Sequence, residues 1–359
     1  MPDLFSRAAL ALMLVAAGGG VGAANAQSLK KMTLVQMHPI MGVGEEVFLY
    51  AVPKHLGFFA AEGLNVDIQN TQTGMISAQL LQSGNAQVGT TAGDAIFAMR
   101  EQGADLVSFF NLKRNPGTFL VVLPDSPIRD LKDLKGKTIG APSFGAGGGL
   151  VLTQNLTELG IAPDQYTGIA TGAGPSAVAA LRSGQIDALV LWDAMLGAAE
   201  NTGLKLRMID IPLQDELVGT TLATSSAYAA SNPKDVAGCC RAMTKGLVFT
   251  RANREAAIHM LWDEFPSIKP TSLEDATALK NGVHVMDRFL EMSLAGQPED
   301  GPLGTFITDN WQNTRKAYIE FGKLKGGDPA TAAYTSQFLA ACNDFDHAAI
   351  VAQAKGWKG

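Results

Sequence analysis

The residues best suited to binding chemistry stand in short loops between apolar stretches. The loop SFGAGGGL, residues 143–150, is the richest of these in glycine. Glycine lets backbone N–H groups approach a ligand closely, and the N-terminus of a following helix favours negative charge. We therefore expect Ser143, Phe144, Gly145 and Gly147 to contact a small ligand. A dinucleotide site is the rival interpretation, but Leu150 stands where the third glycine of that motif belongs.

Other loops follow predicted strands and carry hydroxyl, imidazole or carboxyl groups. In open α/β sheets, ligands bind beyond the carboxyl ends of the strands. The candidates from these loops are His38, Glu45, Thr73, Gly74, Ser77, Thr91, Asp94, Gly174 and Ser176. The hydroxyl groups can equally cap helices. Glu45 and its neighbour Glu46 suit a cationic group, or favour a helix start through the helix dipole.

Two larger side chains complete the candidate set. Lys113 and Arg114 form the basic pair of these loops, and the planar donor fork of Arg114 suits a carboxylate or sulfonate. The alternative is a solvated loop pair. Trp192 ends a predicted strand, where its indole can stack on a planar ligand or pack against a neighbouring helix.

Motifs for catalysis are weak. None of the five histidines belongs to an H-E-x-x-H pattern, and no G-x-S-x-G is present. A catalytic site of two carboxylates that are distant in sequence and come together only in the folded chain stays an open alternative. We expect a protein that is not an enzyme, without catalytic residues, metal or cofactor.

The chain has 359 residues, 47% hydrophobic residues and a formal charge of −6, which argues against a nucleic-acid partner. Arg7, an apolar stretch and the small residues before Ala26 predict a signal peptide over 1–26, cleaved to leave a soluble exported protein. In an oxidising compartment, Cys342 can pair with either Cys239 or Cys240, or all three can be buried thiols.

Two segments one hundred residues apart share one pattern. AQLLQSGNAQVGTT (78–91) and AALRSGQIDALVLW (179–192) each lead from a helix through Ser-Gly into a strand. Similar strand and helix patterns surround both copies, which indicates βαβ units and mostly parallel sheets. We predict lobe I over 27–122 plus 223–359, closed by the strand GTFLVVLP, and lobe II over 123–222. Two hinge crossings then join the lobes around a ligand cleft, and mainly helical segments follow residue 233.

Four phrases in this order resemble a known family. They are HLGFFAAEGLNVDI (55–68), QLLQSGNAQVG (79–89), LKDLKGKTIGAPS (131–143) and ALRSGQIDALVLW (180–192). They are similar to the substrate-binding proteins of ABC importers that serve nitrate, sulfonates, taurine and the thiamine pyrimidine precursor. The resemblance implies a two-lobed type II periplasmic binding fold with a helical C-terminal tail. This family usually has Ser or Thr after the loop glycines, where this chain has Gly148 and Gly149.

The resemblance implies a periplasmic, monomeric protein that captures a small polar or anionic organic solute, such as a sulfonate, carboxylate or pyrimidine. Its partners would be the solute, an ABC permease in the membrane and, indirectly, the ATPase of that permease. Two alternatives stay open. Pyrimidine synthases of the same fold consume a histidine, for which His38 is placed in a cleft loop. A protein of this kind can also present its ligand to a membrane sensor kinase.

Overall fold

The computed structural model describes residues 28–172, 174–294, 297–298 and 301–358. The predicted signal peptide lies outside the described residues. No helix in the described part of the chain has both the length and the apolar character needed to cross a membrane.

Ten strands form two sheets in the described part of the chain. The strands are β1 Lys30–Gln36, β2 Leu64–Asn70, β3 Val88–Ala92, β4 Leu106–Asn111, β5 Thr118–Val122, β6 Thr138–Ala141, β7 Thr167–Ala170, β8 Ala188–Trp192, β9 Arg207–Ile209 and β10 Thr220–Ser225. The first sheet has the order β2-β1-β3-β10-β4 and the second has the order β7-β6-β8-β5-β9. In each sheet one strand, β10 or β5, is antiparallel to both of its neighbours.

Helices flank both sheets. They are a π-helical segment Val47–Ala51, then α1 Val52–His55, α2 Phe58–Ala61, α3 Gly74–Gln82, α4 Gly93–Glu101, α5 Gly147–Glu158, α6 Pro175–Arg182, α7 Asp193–Asn201, α8 Ser226–Ser231, α9 Pro233–Ala252, α10 Arg254–Glu264, α11 Asp275–Ser293, α12 Thr308–Glu320, α13 Leu339–Cys342 and α14 His347–Gly356. Short 3₁₀ turns lie at Leu131–Leu134, Pro163–Gln165, Pro212–Glu216, Pro266–Ile268 and Ala330–Ala333. The chain is therefore an α/β protein with two sheets flanked by helices, as the sequence predicted.

The two copies of the repeated sequence occupy equivalent places in the two sheets. Helix α3 leads into β3 and helix α6 leads into β8, and each turn passes through a glycine with a φ of 75°, Gly84 or Gly184. A left-handed residue of this kind ends a helix at low cost only when it is glycine. After each strand the chain enters another helix, at Ala92 in lobe I and at Trp192 in lobe II.

The strand assignment at the lobe boundary differs from the prediction. β5 was expected to close lobe I, but it pairs with β8 and β9 in the second sheet. β10 begins at Thr220, before the predicted return at residue 223, and pairs with β3 and β4. The chain thus changes sheets between β4 and β5 and again between β9 and β10. An apolar strand has the same sequence pattern whichever sheet it joins, so the pattern could not decide this.

The C-terminal helices build the core of lobe I. Phe48, Phe249 and Phe289 are fully buried in one cluster with residues of β1 and β2. Each such ring contributes on the order of 1.5–3 kcal/mol of hydrophobic stabilisation. A disulfide joins Cys240 of α9 to Cys342 of α13, which resolves the pairing that the sequence left open.

Single residues set some of the helix boundaries. Asn253 separates α9 from α10, because its side chain accepts a hydrogen bond from the Ala256 N–H as the N-cap of α10. Gly57, with a φ of 70°, separates α1 from α2, whereas α1 accommodates Pro53 in its first turn.

Candidate functional site

The candidate site is a cleft where the two lobes and the first crossing between them meet. It consists of two adjoining cavities, which we call the first compartment, about 100 Å³, and the second compartment, about 180 Å³. His38, Lys113 and Trp192 line both compartments. The first compartment is also lined by Glu45, Glu46, Asp193, Ala194 and Phe289. The second is also lined by Ala92, Asp94, Thr118, Gly148 and Tyr318.

Lys113 is the centre of a buried charge network. Its Nζ lies 3.1 Å from Oδ2 of Asp193, on lobe II, and 3.4 Å from Oε2 of Glu45, on lobe I. The same ammonium group lies 4.4 Å from the centre of the Phe289 ring, a cation–π contact. Asp193 begins α7, and its Oδ1 accepts a hydrogen bond from the Ala194 N–H. Lys113 therefore joins the two lobes through carboxylates that are almost fully buried.

His38 extends this network from the first loop. Its Nε2 lies 2.8 Å from Oε1 of Glu45. Burial lowers the pKa of His38, but the charge of Glu45 and the hydrogen bond to it outweigh burial and leave that pKa raised. Burial raises the pKa of Glu45, and the opposing charges of Lys113 and His38 bring it down to about 2. At neutral pH, Glu45 is therefore an anion that contacts the Lys113 ammonium group and the His38 imidazole.

The other two carboxyl groups of the first compartment bind protons more readily. Burial raises the pKa of Glu46 to about 7, and the charge of Glu45 adds to this effect while His38 opposes it. Burial is also the largest influence on Asp193 and raises its pKa, against the charge of Lys113. For Lys113 itself, burial lowers the pKa, but Asp193 and Glu45 together raise it, so this side chain stays charged.

Two aromatic rings from opposite lobes stand across the cleft. The ring centres of His38 and Trp192 lie 6.4 Å apart and their planes differ by 26°. A planar ligand between two rings needs two stacking distances of about 3.5 Å, or about 7 Å in all. A small separation of the lobes is therefore enough to admit a flat ring between His38 and Trp192.

The second compartment is shaped by the glycine loop. A Cβ placed on Gly148 would lie 2.1 Å from Cγ2 of Thr118, so only glycine permits this approach between α5 and β5. Asp94 lies at the start of α4, where burial raises its pKa against a hydrogen bond from Tyr318. The compartment therefore has a small-residue wall and a polar wall.

The structure brings together five of the residues that the sequence selected. They are His38, Glu45, Asp94, Gly147 and Trp192. They come from the ends of β1, β3 and β8, from the first loop and from the start of α5, which is where the sheet-edge rule places a ligand.

The remaining selected residues are not among the described residues that line the two compartments. Thr73, Ser77 and Thr91 form hydrogen bonds within lobe I, to the Ile76 N–H, the Thr90 carbonyl and the Gly74 carbonyl. Ser143 Oγ accepts from the Gly145 N–H.

The other members of that set lie elsewhere on lobe II or on the crossing. The ring of Phe144 packs against Gly168. Gly174 lies at a groove between α6 and α7, and Ser176 is exposed. The carbonyl of Arg114 accepts a hydrogen bond from Asn310, and Arg114 does not line either compartment. As ligand contacts these residues stay predictions.

Sequence reasoning missed several residues of the cleft. Asp193 directly follows Trp192, so its position at a strand end was visible, but its burial was not. Phe289 and Tyr318 come from helices far along the chain, and nothing in their local pattern indicates a cleft. Lys113 was noted only as the neighbour of Arg114, and of the two the structure places Lys113 in the cleft.

The sequence matches the family described as NMT1/THI5 like over residues 46–257, more than half of the chain. The chain belongs to the NMT1/THI5-like family. This confirms the resemblance that the four phrases carried. The matched residues run from Glu46, in the first compartment, through Lys113, Trp192 and Asp193 to the long helices of lobe I.

Relatives of this NMT1/THI5-like chain include both binding proteins and enzymes. It is 31% identical over 145 residues to the 4-amino-5-hydroxymethyl-2-methylpyrimidine phosphate synthase of Schizosaccharomyces pombe, a match that covers 38% of this chain and 41% of the synthase. It is 23% identical over 328 residues to the riboflavin-binding protein RibY of Chloroflexus aurantiacus, with 88% of each chain covered.

A solved structure shares the fold of this chain over most of its length. The periplasmic aliphatic sulphonate binding protein SsuA from Escherichia coli superposes with a TM-score of 0.64 at 18% identity, covering 85% of this chain and 91% of SsuA. At that identity the likeness shows the fold, that of a two-lobed periplasmic binding protein, and does not identify the solute.

Proposed function

We propose that this protein is an exported solute-binding protein that closes on a small planar nitrogen heterocycle and delivers it to an ABC permease. The observation that supports this is the buried group of carboxyls between His38 and Trp192. The sequence left sulfonates, carboxylates and pyrimidine-like solutes open, and the charges of the cleft favour the last of these.

The carboxylates retain hydrogen-bonding capacity for a ligand. An ionised carboxylate has about four acceptor positions. Glu45 has one described partner on each oxygen, His38 and Lys113, and Asp193 has Lys113 and the Ala194 N–H. A ligand that donates N–H groups satisfies the remaining positions, whereas a ligand with only acceptor oxygens does not.

An anionic solute is disfavoured by the same contacts. Among the described residues that line the two compartments, the basic side chains are His38 and Lys113, and each already contacts a carboxylate. A sulfonate in the first compartment would lie near Glu45 and Asp193 without a cation of its own. Repulsion between the sulfonate and these neighbouring carboxylates disfavours binding strongly where water is excluded from the cleft.

The ring pair supplies the second element of recognition. His38 comes from lobe I and Trp192 from lobe II, so a flat ligand between them is held only when the lobes are close together. Offset stacking on an aromatic ring contributes about 0.5–1.5 kcal/mol beyond area burial. Ligand binding therefore favours the closed arrangement, which is the form that can present both lobe surfaces to a permease at once.

The fold and the relatives support delivery as the biological role. The structure superposes on a periplasmic binding protein over most of both chains, and the riboflavin-binding relative is covered almost throughout. A monomer in the periplasm, after removal of residues 1–26, completes the proposal.

A synthase is the second candidate, because the S. pombe relative is a pyrimidine phosphate synthase and His38 lies in the cleft. The match to that enzyme covers less than half of its length. In the binding proposal His38 is a stacking and charge partner, and it is unchanged by each cycle of binding.

A thermal-shift panel tests the proposal. The panel contains aminopyrimidines, purines, a flavin, alkanesulfonates, aliphatic carboxylates and nitrate, each titrated onto the purified protein. We expect a concentration-dependent rise in Tm with an amino-bearing ring compound and none with the sulfonates. A rise with sulfonates alone contradicts the proposal. A modified His38 in the intact mass of the protein after incubation with a ligand supports the synthase.

A further inference from the structure

The cleft is larger than a single small ring requires, and its extra space lies on one side. The second compartment, about 180 Å³, adjoins the first at His38, Lys113 and Trp192. A ring held between His38 and Trp192 therefore has one edge toward Glu45 and Asp193 and another edge toward the second compartment. A ligand without a substituent on that second edge leaves the compartment unfilled.

We propose that the second compartment receives an uncharged, hydroxyl-bearing substituent on the ring edge opposite the hydrogen-bond donors. The ligand class is then a substituted heterocycle, such as a nucleoside-like compound, and not a bare base. This inference rests on the proposed function, because it assumes that a ring occupies the space between His38 and Trp192.

The lining of the second compartment favours this chemistry. Thr118 and Thr220 present hydroxyl-bearing side chains, and Asp94 and Tyr318 form a hydrogen-bonded pair at the same wall. The one ammonium group of the described lining, on Lys113, is held by Glu45 and Asp193. An anionic substituent would therefore meet the Asp94 carboxyl without an unpaired cation, whereas a sugar hydroxyl can donate to and accept from these groups.

Gly148 lets α5 pack closely against β5 at the wall of the second compartment. A Cβ at position 148 would lie 2.1 Å from Cγ2 of Thr118, so this position accepts only glycine. The family resemblance predicted a Ser or Thr after the loop glycines, and at position 148 the contact with Thr118 leaves no room for one. The loop therefore presents backbone, and not a side chain, at this wall.

Two alanines of the cleft, one from each lobe, supply a pair of variants. Ala92 ends β3, lines only the second compartment and is partly exposed. Ala194 follows β8 by two residues, lines only the first compartment and is also partly exposed. Ala92→Leu therefore fills the proposed substituent site, and Ala194→Leu fills the site of the donor edge.

Calorimetric titration with cytosine, cytidine and cytidine monophosphate tests the inference. The three share an amino-bearing ring edge, and the last two carry a sugar on the opposite edge. We expect cytidine to bind about tenfold more tightly than cytosine, the usual ratio for one additional well-placed group, and cytidine monophosphate to bind no more tightly than cytidine. Ala92→Leu should abolish the advantage of cytidine and keep cytosine binding, which also shows that the variant folds. Ala194→Leu should weaken both compounds.

The outcomes separate this inference from the proposed function. Binding of cytosine with no gain from the sugar, no effect of Ala92→Leu, or tighter binding of the monophosphate overturns the substituent site and leaves the ring site standing. Absence of binding by all three compounds, together with absence of a Tm rise with any ring compound in the panel, overturns the proposed function and this inference together. Ala92→Val, a smaller change, should give an intermediate loss for cytidine.

Discussion

The ammonium group of Lys113 lies 3.1 Å from the carboxylate of Asp193, although the two residues belong to different parts of the fold. Lys113 lies on the chain segment that crosses from β4 to β5, and Asp193 begins α7 of lobe II. Glu45 of lobe I shares the same ammonium group. One lysine thus neutralises carboxylates from both sides of the cleft and links the arrangement of the lobes to the electrostatics of the site.

Lys113→Met should destabilise the protein by about 3–5 kcal/mol, the usual cost of leaving a buried charge without its partner. The reason is that Glu45 and Asp193 then share a buried site with no ammonium between them. Urea unfolding followed by circular dichroism measures the change. Lys316→Met is the matched control, since Lys316 forms an exposed pair with Glu320 that contributes about 0–1 kcal/mol. Equal costs for the two variants would contradict the network.

Glu46→Gln should make the protein less sensitive to alkaline pH. The folded pKa of Glu46, about 7, lies above its ordinary value of 4.5, so its contribution is fully present below pH 4.5 and is lost as pH rises through about 7. His38, whose pKa is also raised, loses its contribution in the same direction. The glutamine keeps the neutral form, so at pH 8 we expect the variant to be more stable by on the order of 1–3 kcal/mol.

Unfolding free energies of Glu46→Gln and the parent protein at pH 5 and pH 8 check this prediction. The two proteins should differ little at pH 5, where Glu46 is protonated in the parent. Glu158→Gln is the control, because Glu158 is exposed at the end of α5. A difference of the same size at both pH values would rule out protonation of Glu46 as the cause.

Most of the fold could be predicted from the sequence, because the two glycine-ended helices and the strands after them are local patterns. The sheet membership of β5 and β10 could not, since it depends on which lobe each strand meets after the crossing. The same limit applies to the site. His38 and Trp192 follow strands and were selected on that ground, while Phe289 reaches the cleft only through the packing of α11, which no local pattern shows.

Breaking the contact between α7 and α11 should loosen the closed arrangement. Glu200 of α7 accepts two hydrogen bonds of 2.8 Å from Arg288 of α11, and lies 2.8 Å from His284 Nε2. Helix α11 packs within the lobe I core, so these contacts join lobe II to lobe I. For Glu200→Gln we expect a loss of about 1–2 kcal/mol in unfolding free energy.

Small-angle X-ray scattering without ligand supplies the second measurement for Glu200→Gln. The radius of gyration should increase relative to the parent protein, because the lobes separate more often. Glu291→Gln is the control, since Glu291 is exposed and its ion pair with Arg288 lies within α11. An unchanged radius for Glu200→Gln, with stability also unchanged, would mean that this contact does not hold the lobes together.

Removal of the disulfide should weaken lobe I more than removal of the free thiol. Cys240 and Cys342 are 102 residues apart, and in the chain-entropy description closing a loop of that size destabilises the unfolded state by about 4.7 kcal/mol. Cys342→Ala should show a loss of this order in urea. Cys239→Ala removes a buried thiol beside the bridge and should cost about 1 kcal/mol. A larger cost for Cys239→Ala would indicate that the bridge forms with Cys239.

Native mass spectrometry of the protein purified without dialysis tests the central claim most directly. We predict a bound mass that fragments to a neutral or cationic nitrogen heterocycle, and that is lost in Trp192→Ala, because the ring then lacks one of its two stacking partners. A bound sulfonate, nitrate or aliphatic carboxylate that survives in Trp192→Ala would contradict the claim that His38 and Trp192 hold a planar ligand beside the carboxylates of Glu45 and Asp193.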